Sequence, residues 1–260
     1  MELDGVAATV DQVKALALTN YGHFTSMLVE DGRVRGLSLH MQRLTRDCRL
    51  LFNTELDTGR VRSYARHALG TENTNTVVRI TIFDPALDLG TIGSDAHPHV
   101  LITTRPAPKG PGSPLRLQAT SYQREIPTAK HIGLFGALQR RRVAQREGYD
   151  DALFLNPDGT MSEITTSNIG FVRKERVVWP QAAYLAGVTM TLLHQALDEP
   201  IITEPLTLSD LPNMDAAFAT NAATGIRPIV SIDGIGWPSN EHPMLKELRE
   251  QYAEIPAEHV

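Results

Sequence analysis

The sequence contains a single cysteine, Cys48, in 260 residues. One cysteine excludes an internal disulfide and fits a reducing compartment, so we predict a cytoplasmic protein. Cys48 lies in a helix-like stretch whose apolar residues recur on one face. This setting favours a buried, structural thiol over a catalytic one.

Long apolar runs and an excess of positive charge are also missing. No window of about 18 apolar residues occurs, so we predict no transmembrane helix. The first ten residues have neither a basic stretch nor an apolar core, so we expect no signal peptide. The formal net charge of -5 argues against nucleic acid as a main partner. We therefore predict no membrane partner and no nucleic-acid partner. We also predict no metal site.

The chain does contain one proline-rich stretch that predicts a domain boundary. Four prolines fall within the nine residues Pro106 to Pro114, which excludes a regular helix or a central strand. We predict a small N-terminal domain over residues 1–105, a linker over residues 106–114 and a larger C-terminal domain over residues 115–260. Strand-like and helix-like stretches are mixed in both domains, which predicts an α/β (α+β) fold.

Local patterns in the first domain predict several of its elements. Residues Val13 to Leu18 have the composition of a short strand. A strand from Phe24 to Glu30 is followed by Asp31-Gly32, a dipeptide typical of a tight hairpin turn. Ser38 is predicted to cap a helix that runs from Leu39 to about Phe52.

The stretch from Lys130 to Thr189 contains three groups that suit one kind of chemistry. They are the amine of Lys130, the carboxylate of Glu163 in a polar turn, and a predicted helix that starts at Gly187-Val188-Thr189. A pyridoxal phosphate site needs an amine to form a Schiff base, an anion that keeps the ring nitrogen protonated, and N–H donors for the phosphate. These residues therefore predict pyridoxal 5'-phosphate as cofactor.

Separate segments between residues 21 and 234 match one family in the right order. The matching segments are Tyr21-Gly22 with Phe24, His40-x-x-Arg43-Leu44, Lys130, Gly148-Tyr149-Asp150-Asp151-Ala152-Leu153, Asp158-Gly159, Ser162-Glu163, Ser167-Asn168-Ile169, Leu185-Ala186-Gly187-Val188-Thr189, Asn221-Ala222-Ala223, Pro228-Ile229-Val230 and Ile232-Asp233-Gly234. The chain thus resembles the class IV aminotransferases, the fold-type IV pyridoxal phosphate enzymes. This family includes branched-chain aminotransferases, D-amino acid aminotransferases and aminodeoxychorismate lyase.

The resemblance implies both an architecture and residue roles. It implies a small N-terminal α/β domain, a C-terminal pseudo-barrel, a cofactor between them and a homodimer. Lys130 would form the Schiff base and move the proton at the substrate α-carbon, and Glu163 would pair with the pyridine nitrogen. The phosphate would be bound by Arg43, Val188, Thr189 and Asn221.

Two positions depart from the family pattern. Asp84-Pro85 stands where an Arg-Gly pair is usual, which argues against a preference for D-amino acids. Phe135 stands where branched-chain enzymes place a tyrosine, and phenylalanine cannot donate a hydrogen bond to the cofactor.

Three functions are compatible with these residues. The first is a transaminase that moves an amino group from a small amino acid or amine to a 2-oxo acid. The second is a lyase of the aminodeoxychorismate type that releases pyruvate, with Thr25 or Ser26 assisting proton transfer. The third is a non-catalytic member that keeps the fold for binding, an alternative suggested by the two departures.

Overall fold

The computed structural model describes residues 1–70, 75–110, 112–197, 201–237 and 242–260. The chain forms two compact units. The first unit comprises Met1–Ala107, Ala129–Gly133 and Pro256–Val260, and the second comprises Pro108–Thr128 and Leu134–Ile255. The first unit is therefore discontinuous in sequence, and Lys130 belongs to it. Pro111 of the predicted linker lies outside the described residues, and the linear boundary over residues 106–114 stays a prediction.

The described residues form sixteen strands and six α-helices, together with one 3-10 helix at Leu208–Asn213. The strands are β1 (Glu2–Leu3), β2 (Val6–Ala7), β3 (His23–Val29), β4 (Arg33–Arg35), β5 (Thr76–Phe83), β6 (His99–Pro106), β7 (Leu115–Ser121), β8 (Asp151–Leu155), β9 (Met161–Ile164), β10 (Ser167–Arg173), β11 (Arg176–Pro180), β12 (Ile202–Glu204), β13 (Ala216–Asn221), β14 (Gly225–Ile232), β15 (Ile235–Gly236) and β16 (Ala257–His259). The helices are α1 (Val10–Leu18), α2 (Leu37–Phe52), α3 (Thr58–Leu69), α4 (Phe135–Arg146), α5 (Val188–Ala196) and α6 (Pro243–Glu254). In the described part of the chain, every helix is too short or too polar to cross a bilayer.

An antiparallel sheet with the order β2-β1-β6-β5-β3 organises the first unit. Successive side chains of a strand point to opposite faces, so Val78 and Ile82 of β5 face the core that α2 and α3 complete. Phe83 points to the other face, where it packs with Leu3, Leu101 and residues of α1. Both faces of this sheet are therefore partly covered by helices.

The first helix corrects one of our predictions. Residues Val13 to Leu18, predicted as a strand, are the last six of the nine residues of α1. Thr9 and Gln12 form a reciprocal capping box: the Thr9 N–H donates to Gln12 Oε1 at 2.9 Å, and the Gln12 N–H donates to Thr9 Oγ1 at 3.3 Å. A short apolar stretch is compatible with either a helix or a strand. Here the capping box starts a helix just before the apolar stretch, and the stretch continues it.

The following hairpin confirms one prediction, and the next helix corrects another. Asp31 and Gly32 both have positive φ, 50° and 69°, as a type I′ turn requires. Helix α2 begins at Leu37 after Gly36 in the left-handed region, not after a Ser38 cap. Ser38 instead donates its backbone N–H to Glu258 Oε1 at 3.0 Å.

A closed ring of six strands lies within the nine-stranded sheet of the second unit and confirms the predicted pseudo-barrel. The strands pair in the order β10-β13-β14-β7-β8-β9, and β9 pairs back to β10. Ile169 and Phe171 of β10 lie in the barrel core, whereas Val172 faces outward to the cluster that includes α5 and α6. Helix α4 packs through Ala137 and Ala144 on another part of the wall. The barrel wall positions the polar groups described next.

Candidate active site

Lys130 lies in a short segment that pairs with the edge of the first unit's sheet. The Lys130 carbonyl accepts the Phe24 N–H at 2.8 Å, and the Lys130 N–H donates to Asp47 Oδ2 at 2.9 Å. The Lys130 Nζ atom is 4.9 Å from the centroid of the Phe24 ring. The backbone on both sides of the lysine side chain is thus fixed, by a strand and by a carboxylate.

The carboxylate of Asp47 connects this segment to α2. Its side chain is fully buried, and its other oxygen, Oδ1, accepts Nε and Nη2 of Arg46 at 2.9 and 2.7 Å. Arg43 lies one helical turn earlier on the same face of α2. Asp47 therefore places a buried negative charge between the Lys130 backbone and two arginines.

We predict that Asp47→Ala loosens the segment that carries Lys130. Removing one partner from a buried ionic network costs about 3 kcal/mol of folding free energy, so the melting temperature should fall. Hydrogen exchange at residues 129–133 should become faster. Asp57→Ala is the control because Asp57 caps α3 through Gly59 and Arg60. It should also lower stability but should leave exchange at residues 129–133 unchanged; equal exchange in the two variants would contradict the prediction.

Arg43 takes part in a buried chain of hydrogen bonds. Arg43 Nη2 donates to Thr25 Oγ1 at 2.5 Å, and Thr25 Oγ1 lies 2.7 Å from His40 Nδ1. Burial lowers the pKa of Arg43 to about 10, against the opposing effect of Asp47. Burial and then the charges of Arg43 and Lys130 hold the pKa of His40 well below its usual value, so this imidazole is neutral at pH 7.

Two buried nitrogens of these hydrogen-bonded residues, Arg43 Nε and His40 Nε2, have no partner among the described residues. An Arg43 N–H also lies 3.4 Å from His40 Nδ1, so Nδ1 is the accepting nitrogen and Nε2 carries the hydrogen. Two N–H donors are then buried without an acceptor, which is costly unless a ligand supplies one. A phosphate oxygen is a suitable acceptor for a guanidinium.

Glu163 lies in the second unit, on β9, within a buried ion pair. Its Oε1 accepts Arg124 Nε at 2.8 Å, and the two side chains are only 7% and 10% exposed. Arg124 Nη2 also donates to the Thr165 carbonyl at 2.8 Å. The sequence analysis missed Arg124 because it lies in an irregular polar stretch that has no motif. Its partner lies 39 residues further along the chain.

Asn168 connects the barrel wall to the start of α5. Asn168 pairs with Glu163 on one side and with Thr220 on the other. Its Oδ1 accepts the Gly187 N–H at 3.0 Å, and its Nδ2 donates to the Leu185 carbonyl at 2.8 Å. One side chain thereby fixes the loop that leads into α5, a role that the family motif did not suggest.

Gly187 leaves no room for a side chain. A Cβ atom there would overlap Asn168 Oδ1. We predict that Gly187→Ala displaces the Asn168 amide and moves the start of α5, which should weaken the affinity for pyridoxal phosphate about tenfold, the effect of one lost hydrogen bond to a charged group. Cofactor binding can be measured by fluorescence titration. Gly93→Ala, where nothing lies within 4 Å of an added Cβ, should bind like the wild type; a normal affinity in Gly187→Ala would contradict the prediction.

The N-terminus of α5 offers donors that suit an anion. The helix begins at Val188 after Gly187, which has no side chain to cap it, so the first N–H groups are available to a ligand. The hydroxyls of Thr189 and Thr220 are buried without a partner among the described residues. These N–H groups and hydroxyls of the second unit are suitable donors for an anion such as a phosphate.

Asn221 uses its side chain to build a turn. Its Oδ1 accepts the N–H groups of Ala223 and Thr224 at 3.0 and 2.9 Å, and its Nδ2 donates to Ser167 Oγ at 2.9 Å. The predicted contact between Asn221 and phosphate stays a prediction. The sequence-predicted residues thus form two groups, Lys130 with Arg43 in the first unit and Glu163, Val188, Thr189 and Asn221 in the second.

The two departures from the family pattern also have defined environments. Asp84 is buried, and its carboxylate accepts the N–H groups of Ala86 at 2.8 Å and His97 at 2.7 Å. It therefore organises the loop after β5. Phe135 begins α4 and is 79% exposed.

Comparison with known proteins shows which family this chain belongs to. The family model of the amino-transferase class IV proteins matches residues 22–232. A probable branched-chain-amino-acid aminotransferase of Rickettsia bellii is 27% identical over 268 residues, which cover 92% of this chain and 90% of that protein. A hypothetical aminotransferase from Mycobacterium tuberculosis in its PLP-bound form superposes with a TM-score of 0.82 at 19% identity, covering 95% of this chain and 92% of that one. A putative 4-amino-4-deoxychorismate lyase from Legionella pneumophila superposes with a TM-score of 0.80 at 20% identity, covering 96% of each chain.

The aminotransferase and the lyase structures both share the fold of this chain, with almost equal TM-scores. Structural similarity therefore does not distinguish a transaminase from a lyase. The family match is more specific, because it spans most of the chain and includes Lys130, Glu163 and the start of α5. This chain belongs to the class IV aminotransferases.

Proposed function

We propose that this enzyme binds pyridoxal 5'-phosphate and transfers an amino group from a small amino acid to a 2-oxo acid. Lys130 and Arg43 of the first unit and Glu163, Val188 and Thr189 of the second would hold the cofactor. This proposal rests mainly on two buried donors that have no partner among the described residues, Arg43 Nε and Thr189 Oγ1. Both belong to residues for which the family resemblance implies a contact with phosphate.

Each residue would have one task. When bound, pyridoxal phosphate accepts the electron pair that remains after the C–H bond at the substrate α-carbon breaks. The Lys130 amine would take the proton from that carbon as a general base. Glu163 would hold a proton at the ring nitrogen, and Arg124 would keep its carboxylate in place. Arg43 and the N-terminus of α5 would bind the phosphate.

The transaminase is better supported than the lyase. The Rickettsia bellii relative carries the name of a branched-chain enzyme, so leucine, isoleucine and valine head the donors to be tested. The lyase hypothesis needs the Thr25 or Ser26 hydroxyl for proton transfer. Thr25 is buried, and its hydroxyl is bonded to both Arg43 and His40, which leaves Thr25 unsuited to that task.

The test is to load the protein with pyridoxal phosphate and follow its absorption spectrum while amino donors are added. A donor-dependent spectral change that 2-oxoglutarate reverses is the result expected of a transaminase. Release of pyruvate from aminodeoxychorismate, without any change with the amino acids, would favour the lyase. No response to any donor would reject the proposed function.

We also propose that the enzyme is a homodimer. Phe135, Leu138 and Val143 of α4 are 79%, 47% and 41% exposed, and apolar side chains grouped on a surface helix are typical of an interface. Light scattering should give twice the chain mass for wild type and a lower mass for Leu138→Glu. A wild-type monomer would exclude the dimer. The predicted cytoplasmic location stays a prediction.

A further inference from the structure

We propose that a cavity outside the barrel of the second unit binds a small apolar zwitterion, an amino acid or a short peptide. The cavity has a volume of about 590 Å³, which is within the range of small-molecule sites. Its walls come from the start of β11, the end of α5 and one side of α6. This inference goes beyond the proposed function and does not depend on it, because it concerns a different part of the molecule.

The cavity is separate from the groups of this unit that are proposed to bind the cofactor. Leu197, which lines the cavity, directly follows α5, whereas Val188 and Thr189 form the first turn of that helix. The helix has nine residues, so its two ends are about 14 Å apart. None of the described residues that line the cavity belongs to the family motifs found in the sequence.

One side of the cavity is apolar. Its apolar lining comes from β11, from the segments around α5 and β12, and from α6: Val177, Leu197, Ile201 and Met244. These side chains pack together with the hydrophobic cluster under α5 and α6. Leu197, Ile201 and Met244 remain partly exposed, so the apolar part of a ligand would bury surface that is now open to water.

The α6 wall contains a buried acceptor that needs a hydrogen-bond donor. Gln251 Nε2 donates to Glu247 Oε1 at 3.1 Å, and this bond fixes the orientation of the amide because a carboxylate accepts only from its nitrogen. Gln251 Oε1 is then buried without a partner among the described residues, which is costly. The ammonium group of a ligand would supply the missing N–H and would also meet the negative charge of Glu247.

Arg176 supplies a positive charge at the other wall. It is exposed at the start of β11, where it pairs with Arg173 of β10. Arg173 is bonded to Glu204 at 2.7 Å, whereas Arg176 has no ion pair within the part of the chain that the structure describes. A guanidinium binds a carboxylate with two parallel hydrogen bonds, so Arg176 is suited to the carboxylate of a ligand.

The charges around the cavity favour a zwitterion over a simple anion. Glu175 and Glu247 line the cavity together with Arg176, so a ligand with only negative charge would meet two carboxylates. A simple cation would leave the Arg176 guanidinium without a partner. A ligand that carries an ammonium, a carboxylate and an apolar body matches all three kinds of wall.

A second cavity, of about 540 Å³, shares Arg176 and is less suitable. Lys174, Ile202 and Asn213 line it together with Arg173, and Arg173 is already bonded to Glu204. Among the described residues that line this second cavity, no polar side-chain atom is buried without a partner. Lys174 lines only this second cavity, so it provides a matched control for Arg176.

The probe for the experiment is N,N-dimethylleucine, which has the ammonium, the carboxylate and the apolar body but, as a tertiary amine, cannot form a Schiff base. Isothermal titration calorimetry of the enzyme saturated with pyridoxal phosphate should show one saturable site per chain. Arg176→Gln should raise the Kd about tenfold, the effect of one lost hydrogen bond to a charged group. Gln251→Met, which removes the buried acceptor at similar size, should also raise the Kd. Lys174→Gln should keep the Kd within about twofold of the wild type.

Related compounds test the chemistry of the ligand. 4-Methylpentanoate lacks the ammonium and N,N-dimethyl-3-methylbutylamine lacks the carboxylate, so each should bind at least about tenfold more weakly than N,N-dimethylleucine. N,N-dimethylleucyl-leucine distinguishes the two sources: tighter binding than that of the amino acid indicates a peptide ligand, and weaker binding indicates a free amino acid.

Three results would overturn the proposal. They are the absence of saturable binding of both zwitterions, an equal loss of affinity in Lys174→Gln and Arg176→Gln, and a Kd that changes in neither Arg176→Gln nor Gln251→Met. None of these measurements involves turnover. An enzyme that responds to no amino donor would therefore reject the proposed function, and calorimetry would still decide whether this cavity binds a zwitterion.

Discussion

Replacement of Lys130 by alanine is expected to reduce transamination by at least about 10⁴-fold, the largest effect of any single substitution in this enzyme. In the proposed function, Lys130 provides both the amine that bonds to the cofactor and the base that takes the α-proton, and the variant lacks both. The backbone bonds of Lys130 to Phe24 and Asp47 do not involve its side chain. The fold should therefore survive, and initial rates with valine and 2-oxoglutarate measure the chemistry.

Lys14→Ala is the matched control, since Lys14 is an exposed lysine on α1. It should retain the wild-type rate within about twofold, as surface substitutions usually do. Methylamine, added to Lys130→Ala, supplies an external amine and should restore part of the rate. If Lys130→Ala kept more than a tenth of the wild-type rate, another group would have to be the base.

Glu163→Gln is expected to have the second largest effect, a fall in kcat of roughly 10²- to 10³-fold. In the proposed function, Glu163 keeps the ring nitrogen protonated, and an amide in its place could not, so the cofactor would become a weaker electron acceptor. Glutamine has the shape of glutamate and can still accept the Arg124 N–H, so the fold should be kept at a moderate cost in stability. Steady-state kinetics should show the loss mainly in kcat, with cofactor affinity changed much less.

The exposed neighbour Glu125 provides the control for Glu163. Glu125→Gln removes the same charge and should leave kcat unchanged. Arg124→Gln tests the positioning role of the ion pair: it should lower kcat less than Glu163→Gln does. A kcat within twofold of the wild type in Glu163→Gln would show that this carboxylate does not act on the ring nitrogen.

Elements whose signals are local could be predicted from the sequence. The Asp31-Gly32 turn needs positive φ at both residues, which this dipeptide allows. The start of α5 at Val188 was predicted from the Gly187-Val188-Thr189 motif and agrees with the structure. The barrel was implied by the ordered family motifs, and the closing pair of β9 and β10 bears it out.

Contacts between distant parts of the chain could not be predicted. Asp47 lies 83 residues before the Lys130 N–H that it accepts, and no local pattern connects them. For the same reason the sequence did not show that residues 129–133 and 256–260 belong to the first unit. The contact between Arg79 and the Phe24 ring likewise depends on the register of β3 and β5, which no local pattern determines.

The most direct test of the account is the absorption spectrum of the purified protein during titration with pyridoxal phosphate, for wild type, Lys130→Ala and Lys14→Ala. The account predicts a new band in the visible or near-ultraviolet for wild type and Lys14→Ala, saturating at one cofactor per chain. Lys130→Ala should show only the spectrum of unattached cofactor. The same band in Lys130→Ala, or no band in any of the three proteins, would contradict the assignment of Lys130 as the cofactor-binding lysine.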